Sequence, residues 1–238
     1  MNLTARVLFA GCFLLGSVAY AGTLTLETSA GALGANDHVT WGALGPDSTL
    51  IPNVFAATSV GSLAIGGSFS SSTGDLVVVG TSWTPPSGAF TSGDSVIWAN
   101  DGNNGTGPIT LTFPTLLGAG AAIQYDVAGQ FTAQLSLYSG STLIGSVTRT
   151  SDSAGDAIFI GALDSLSEVT KAVFSVTAAP SGDPFLNPLG DFAIDTLYLN
   201  NPPSAPPPSG TPEPGSMFLL GGGLAALSLT VRRRSGRS

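Results

Sequence analysis

The chain has 238 residues and a formal net charge of −8, and only 9% of its residues are charged, against about 25% in an ordinary soluble domain. Segment 22–214 holds all fifteen acidic residues but only two basic ones, Arg149 and Lys171, so it carries −13 and is not expected to bind nucleic acid. The single cysteine, Cys12, lies in a segment that we expect to be removed, which excludes disulfides and thiolate chemistry from the mature protein.

The first predicted element is a cleaved signal peptide at residues 1–21. Arg6 supplies the positive charge, and an apolar run follows over 7–18. Ala19 and Ala21 then give the small-x-small pattern that signal peptidase recognises. The expected first partners are therefore the Sec machinery and signal peptidase.

Two alternatives to cleavage before Gly22 are open. The apolar run could remain as a membrane helix, but it is shorter than the roughly 20 residues that span a bilayer. Lipidation at Cys12 would need the apolar run to end there, and the run continues past it. Cleavage is the favoured interpretation.

The body, residues 22–199, consists of short runs of β-forming residues between turns rich in Gly, Asn, Asp, Ser and Pro. In Gln130–Tyr138 apolar and polar residues alternate, which indicates a half-buried antiparallel strand. The pattern predicts an all-β, antiparallel two-sheet sandwich of the jelly-roll type, with one short helical turn at 164–169. About twelve strands are expected, at 23–28, 39–41, 63–69, 75–83, 95–99, 108–113, 121–127, 130–138, 142–150, 157–162, 172–178 and 192–199.

Three carboxylates of the body are candidate calcium ligands. Asp191 and Asp195 stand on one face of the last strand, about 13 Å apart, which is too far to share an ion without a bulge. Either could join Glu27 of the first strand, because the ends of a jelly roll often meet, and Ca²⁺ would offset part of the negative charge. The alternative is that Asp191 starts the strand and Asp195 faces solvent. No other cofactor is expected.

Two further acidic segments are interpreted as turns. Residues 101–105 resemble a calcium loop only superficially, because they lack the alternating ligand spacing and the closing glutamate. Asp152 and Asp156 flank Ser-Ala-Gly, which is typical of a turn.

Trp83 is the candidate for stacking on a sugar ring, because a loop rich in proline and glycine follows it. A place in the core remains open for Trp83 and is the favoured interpretation for Trp41 and Trp98. The Thr-x-Thr pairs at 23–25 and 110–112 have the spacing of ice-binding ranks, but two isolated copies are ordinary for strands.

Catalytic residues are few, and we expect a protein that is not an enzyme. His38 beside Asp37 could form half of a triad, but no nucleophile elbow accompanies it. Fifteen acidic residues always offer carboxylate pairs, so pairs by themselves do not identify a glycoside hydrolase. A secreted carbohydrate-active enzyme on the same scaffold is the alternative function.

The C-terminal region is a predicted linker followed by a membrane segment. Residues 200–214 contain seven prolines and predict an extended spacer. Residues 215–231 are uncharged and reach the lower limit for a single transmembrane helix in the inner membrane. The basic cytoplasmic tail, 232–238, begins with Arg232, Arg233 and Arg234 and would keep its end of the helix in the cytoplasm.

Pro212-Glu213-Pro214, the apolar segment and the arginine cluster occur here in the order that resembles the PEP-CTERM sorting signal of Gram-negative bacteria. That resemblance implies recognition and cleavage near Pro-Glu-Pro by exosortase, a membrane protease, and a link with exopolysaccharide and biofilm matrix. The same tail is sometimes called an ice-binding protein C-terminal domain, a name that implies little about activity.

Residues 131–199 also resemble the closing strands of jelly-roll modules in PEP-CTERM proteins, through 159–161, 172–176 and 190–195. The resemblance implies a shape like that of carbohydrate-binding domains. We therefore expect an exported surface or matrix protein, first held at the inner membrane and then released, which binds polysaccharide or builds the matrix.

Overall fold

The computed structural model describes residues 23–85, 88–101, 104–166, 168–180 and 188–203. The predicted signal peptide with Ala19 and Ala21, the Pro-Glu-Pro segment, the transmembrane segment and the basic tail lie outside these residues. Among the residues that are described, no helix is long and apolar enough to cross a membrane.

The described residues form fourteen strands and two short 3-10 helices, which confirms the all-β prediction. The 3-10 helices are Trp41–Leu44 and Pro188–Gly190. The strands are β1 (Leu24–Glu27), β2 (Asp37–Val39), β3 (Thr49–Ile51), β4 (Val54–Thr58), β5 (Ala64–Ser68), β6 (Gly74–Val78), β7 (Ser95–Trp98), β8 (Ile109–Leu116), β9 (Gly118–Tyr125), β10 (Thr132–Ser139), β11 (Thr142–Thr150), β12 (Ile158–Asp164), β13 (Val169–Ala178) and β14 (Phe192–Asn200).

The strands pair into two antiparallel sheets, as expected for a sandwich. Sheet A has the order β1-β12-β9-β14-β7-β6-β3, and β2 also pairs with β14. Sheet B has the order β11-β10-β13-β8-β5-β4. From β8 onward the chain crosses repeatedly between the sheets, and only β10 and β11 form a hairpin within one sheet.

The main core lies between the sheets because the alternating apolar residues of both point inward. In β10, Ala133, Leu135 and Leu137 are buried in this core, as their alternation predicted. At one side of the sandwich the Arg149 guanidinium donates hydrogen bonds to the Phe159 and Thr28 carbonyls. This contact joins the edge strand of sheet B to sheet A.

The structure differs from the sequence expectations about boundaries in three places. Strand β12 continues to Asp164, whose carboxylate accepts the Glu168 N–H at 3.3 Å, and residues 165–166 form a turn. Strands β3 and β4 were not expected. The last strand continues to Asn200, and the Asn201 N–H donates to the Asn36 side chain at 2.8 Å, so the sandwich extends into the expected linker.

The last strand, β14, changes its partner halfway along. Ala193 and Ile194 pair with β7, whereas Leu197 to Leu199 pair with β2. The pairing with β9 shifts register between Ile194 and Leu197, which marks a β-bulge. Asp195 lies at this bulge.

A segment that we call the strap, residues 79–85 and 88–94, lies on the outer face of sheet A. The strand expected at 75–83 ends at Val78, where the Trp83 N–H donates back to the Val78 carbonyl at 3.1 Å. Gly80 adopts a φ of 81°, which favours glycine at this turn. Farther along, the Ala89 N–H donates to the Ala157 carbonyl beside β12. The strap thereby encloses a second, smaller core outside the sandwich.

Candidate functional site

Trp83 is not an exposed stacking platform. It is 2% exposed and forms the centre of the second core, where its indole N–H donates to the Gln124 side chain at 2.8 Å. The Trp83 ring lies 5.6 Å from the Trp98 ring and 6.2 Å from the Phe90 ring, centroid to centroid. The loop that follows Trp83 suggested exposure, but the chain reverses before Trp83, at Gly80, and the indole packs against sheet A.

The other two tryptophans were both expected in the core. Trp41 is buried, and its N–H donates to the Asp195 carbonyl at 3.0 Å. Trp98 is only partly buried, on the outer face of sheet A, and its N–H donates to the Asp191 carboxylate at 2.6 Å. Of the three, Trp98 is therefore the most accessible.

Beyond the strap, the outer face of sheet A carries a strip of residues that sequence reasoning did not identify. Cross-strand pairing places His38, Tyr198, Gly120, Gly161 and Glu27 in one row across β2, β14, β9, β12 and β1. These residues point outward because they alternate with core residues along their strands.

The next row toward the end of the sheet contains Asn200, Gly118, Leu163 and Thr25. We call the two rows together the glycine trough. Its floor consists of three glycines, its β14 side carries aromatic and amide groups, and its β1 side carries a carboxylate and a hydroxyl. A groove of about 280 Å³ at this end includes Thr25, Leu163 and Asn200 in its lining.

The absence of side chains at Gly120 and Gly161 leaves room for the Phe159 ring against the sheet. A Cβ on Gly120 would stand 2.8 Å from the Phe159 ring, and a Cβ on Gly161 would stand equally close to it. The Phe159 and Tyr198 ring centroids are 5.9 Å apart, and the His38 ring follows at 6.2 Å from Tyr198. Three rings therefore form a continuous aromatic strip, and Tyr198 and His38 within it are partly exposed.

A carboxyl pair lies at the strap end of the trough. Asp94 and Asp195 hydrogen-bond through their side chains, and Asp195 is 6% exposed. Burial first, and then the charge of Asp94, raise the pKa of Asp195 to about 6, although the Thr196 N–H bond at 2.6 Å opposes the rise. Burial and the same two carboxyls raise the pKa of Tyr198, so its hydroxyl stays protonated near neutral pH.

The expected calcium ligands do not come together. Strands β12 and β9 separate Glu27 on β1 from β14, so strand spacing alone puts Glu27 about 14 Å from β14. Glu27 lies in the row of Tyr198, and both Asp195 and Asp191 lie farther along β14 from that row. Asp195 is buried rather than solvent-facing. Within the described part of the chain, no three or more His, Cys, Asp or Glu residues are arranged to hold a metal ion.

Asp191 instead belongs to an acidic end of sheet A. The register Phe192↔Tyr125 brings it opposite Asp126, and the Asp126 amide nitrogen lies 3.5 Å from the Asp191 carbonyl oxygen. Nearby, burial and then the charge of Asp101 raise the pKa of Asp75.

The remaining polar candidates have structural roles. Burial would raise the pKa of Asp37, but hydrogen bonds from Ser59, Gly61 and the His38 amide outweigh burial and lower it. Asp152 accepts three main-chain N–H bonds from 154–156, which confirms the predicted turn.

The two Thr-x-Thr pairs lie on different sheets. Thr110 and Thr112 belong to β8 of sheet B, whereas Thr25 belongs to β1 at the edge of sheet A. They therefore form no single hydroxyl rank.

No curated protein matches the chain. Among solved structures, the crystal structure of a DUF4465 family protein from Bacteroides caccae is 13% identical, with a TM-score of 0.41; the match covers 68% of this chain and 98% of that one. Residues 211–234 match the family PEP_exosort_dom, the PEP-CTERM protein-sorting motif. This motif indicates an exported protein that is processed by exosortase at the membrane of a Gram-negative bacterium.

Proposed function

We propose that this chain is a non-enzymatic surface or matrix protein that binds polysaccharide in the glycine trough. The sorting motif at 211–234 supports the exported, surface-directed part of the proposal. The aromatic strip of the trough is the observation that carries the binding part. Association with an exopolysaccharide biofilm matrix would follow from both.

The side chains of the trough suit a sugar chain. Aromatic faces such as those of Tyr198 and His38 can contact the C–H faces of sugar rings, while Glu27, Thr25 and Asn200 offer hydrogen-bonding groups to hydroxyls. The row from His38 to Glu27 crosses five strands and spans about 19 Å, room for several sugar units. Because the body carries −13, we expect a neutral polysaccharide rather than an acidic one.

The carboxyl groups favour binding over hydrolysis. Glycoside hydrolases hold two carboxyl groups about 5 to 9.5 Å apart around the scissile bond. Asp94 and Asp195 instead hydrogen-bond each other, and Asp195 is buried. Glu27 is the only Asp or Glu in the two trough rows.

The architecture is compatible with a jelly roll, which we propose as its finer description. From β8 onward, successive strands cross between the sheets, as in Greek-key sandwiches. The proposed ligand is a polysaccharide and not ice, because the threonine pairs lie on separate sheets.

The binding proposal is tested by affinity electrophoresis of the mature protein in gels that contain neutral or acidic bacterial polysaccharides. We expect retardation by a neutral polysaccharide. Tyr198→Ala should weaken binding about tenfold, equivalent to about 1.4 kcal/mol, because it removes the central ring of the strip. Tyr198→Phe keeps the ring and should bind nearly as well.

Tyr138→Ala is the matched control, because Tyr138 is a partly buried tyrosine on sheet B, beneath the Lys171 ammonium. Equal losses from Tyr198→Ala and Tyr138→Ala would contradict the placement of the site. Release of reducing sugar that Glu27→Gln abolishes would favour the enzyme alternative instead.

A further inference from the structure

The end of β12 carries a buried carboxyl group with an incomplete set of hydrogen bonds. Asp164 is the last residue of this strand and is 3% exposed. Its Oδ2 accepts the Glu168 N–H at 3.3 Å, whereas its Oδ1 is buried without a hydrogen-bond partner. Burial of an ionised carboxylate is unfavourable unless the group is paired, so this oxygen points to a cationic partner.

The Lys and Arg side chains of the described residues are bound elsewhere. The Arg149 guanidinium donates to two main-chain carbonyls, and the Lys171 ammonium lies 4.0 Å from the centre of the Tyr138 ring on sheet B. Segment 22–214 contains no other Lys or Arg residue. The partner of Asp164 is therefore not a Lys or Arg side chain of this segment.

The predicted signal-peptide cleavage creates a cation at the same end of sheet A. Cleavage before Gly22 leaves an α-ammonium group on that residue. In the β1–β12 pair, Leu24 lies directly opposite Asp164. One position earlier, the Thr23 N–H donates to Ser165 Oγ at 3.2 Å. The chain is thus held beside the end of β12 as far as the residue next to Gly22.

We propose that the α-ammonium group of Gly22 in the processed chain forms an ion pair with Asp164. The proposal rests on cleavage before Gly22 and is independent of ligand binding in the glycine trough. In the precursor the same nitrogen belongs to an uncharged peptide bond, so the pair forms only after signal peptidase has acted. Processing thereby adds a contact between β1 and β12 at the edge of sheet A.

The geometry of the described residues supports this pair. The bond from the Glu168 N–H shows that the Asp164 carboxyl group points past the end of β12, toward the turn at 165–166. Thr23 is bound to the same turn. Strands advance about 3.3 Å per residue and lie about 4.8 Å apart, so an ammonium group two positions before Leu24 lies within about 7 Å of the carboxyl group. A terminal glycine has no side chain to oppose the rotation that brings the two groups together.

The test removes the charge of the α-amino group from the exported, processed chain. Intact mass first verifies that the chain begins at Gly22, and any other N-terminus would overturn the proposal. Selective transamination then converts the α-amine to a neutral carbonyl and leaves Lys171 unchanged. We expect Tm to fall by about 3 to 6 °C, because the buried carboxylate loses its partner. An unchanged Tm would contradict the ion pair.

Asp164→Asn identifies the partner, because an amide oxygen can still accept the Glu168 N–H. Transamination should lower the Tm of this variant by less than about 1 °C, whereas the exposed control Glu168→Gln should keep the full loss. Equal losses in Asp164→Asn and wild type, or no loss in Glu168→Gln, would assign the contact to another group and overturn the proposal.

Titration of the α-amino group, followed by NMR, is a second measurement that needs no variant. In the wild-type chain this group should titrate at a higher pH in the folded state than in urea, because a neighbouring carboxylate favours the charged form. Titration of the folded chain at the same pH as in urea, or at a lower one, would contradict the pair.

Discussion

Asp195 lies where the pairing partner of β14 changes from β7 to β2, and its environment follows from that change. The bulge turns its carboxyl toward Asp94 while its carbonyl accepts the Trp41 N–H. Two negative charges on a buried pair of carboxyl groups are unfavourable because they repel each other and are poorly solvated. The pair therefore retains a proton at pH values where an exposed aspartate has lost it.

The protonation of Asp195 predicts a pH-dependent stability. The pKa of Asp195 is about 6 in the folded protein, against an ordinary aspartate value of 3.8 in the unfolded chain. Between these two pH values the folded protein therefore holds a proton that the unfolded chain has released. This group therefore makes the free energy of unfolding fall as pH rises from about 4 to about 6, by about 2 to 3 kcal/mol, with no further loss above that window.

Urea unfolding across this pH range checks the prediction. Asp195→Asn should reduce the slope and leave the protein more stable than wild type near pH 7, because an amide needs no proton to pair with Asp94. Glu168→Gln serves as the exposed control. Identical slopes for wild type and Asp195→Asn would show that another group carries the proton.

At the scale of elements, the outer face of sheet A has three zones: the second core beneath the strap, the glycine trough and the acidic end. The strap residues Trp83 and Phe90 pack against sheet A in the second core. The glycine trough lies beyond one side of the strap, and the acidic end lies at the other end of β14. The strap thus determines which part of sheet A is available to a ligand.

Removal of the Trp83 side chain should loosen the strap. We expect Trp83→Ala to lower the free energy of unfolding by about 3 to 5 kcal/mol, because it empties a packed position and leaves the Gln124 oxygen without its indole donor. Leu50→Ala, at a residue that is 62% exposed, should change it by less than about 0.5 kcal/mol.

Urea unfolding measures both changes, and acrylamide quenching should report greater exposure of Trp98 in Trp83→Ala. Polysaccharide binding per folded molecule should be retained, because Trp83 lies outside the trough. Loss of binding with unchanged stability would instead restore the stacking role that the sequence suggested.

At the scale of the whole molecule, the sorting motif indicates export and processing at the membrane. An apolar segment with Gly221-Gly222-Gly223 at its centre would make a marginal helix, which suits a processed signal better than a permanent anchor. Prolines on both sides of Glu213 favour an extended chain that a protease can bind.

We therefore predict that cells with an exosortase release a form that ends near Pro214. Glu213→Ala should leave the full-length protein in the membrane fraction, while Glu168→Ala on the sandwich should be processed as wild type. Immunoblots of membrane and medium fractions, with intact mass of the released form, measure this. Equal processing of Glu213→Ala and wild type would favour a plain membrane anchor.

Local patterns were sufficient to predict the all-β class and many of the strands. The alternation in Gln130–Tyr138 specifies a buried face wherever that strand lies, because side chains alternate with a period of two. Strands β3 and β4 were missed because they are only three and five residues long and their patterns are weak. The sorting motif could also be predicted from the sequence because it lies within one short, continuous segment.

The sites depended on pairing between distant residues. His38 and Tyr198 are 160 positions apart, and only the β2–β14 register puts them side by side. The carboxyl pair Asp94–Asp195 and the position of Asp191 opposite Asp126 arise in the same way. Trp83 looked like a loop residue because its burial depends on a reversal at Gly80 and on the face of sheet A beneath it. The sequence by itself determined the all-β class and the sorting motif because both depend on local pattern, whereas the tertiary structure decided which residues form the candidate sites because those depend on strand register and burial.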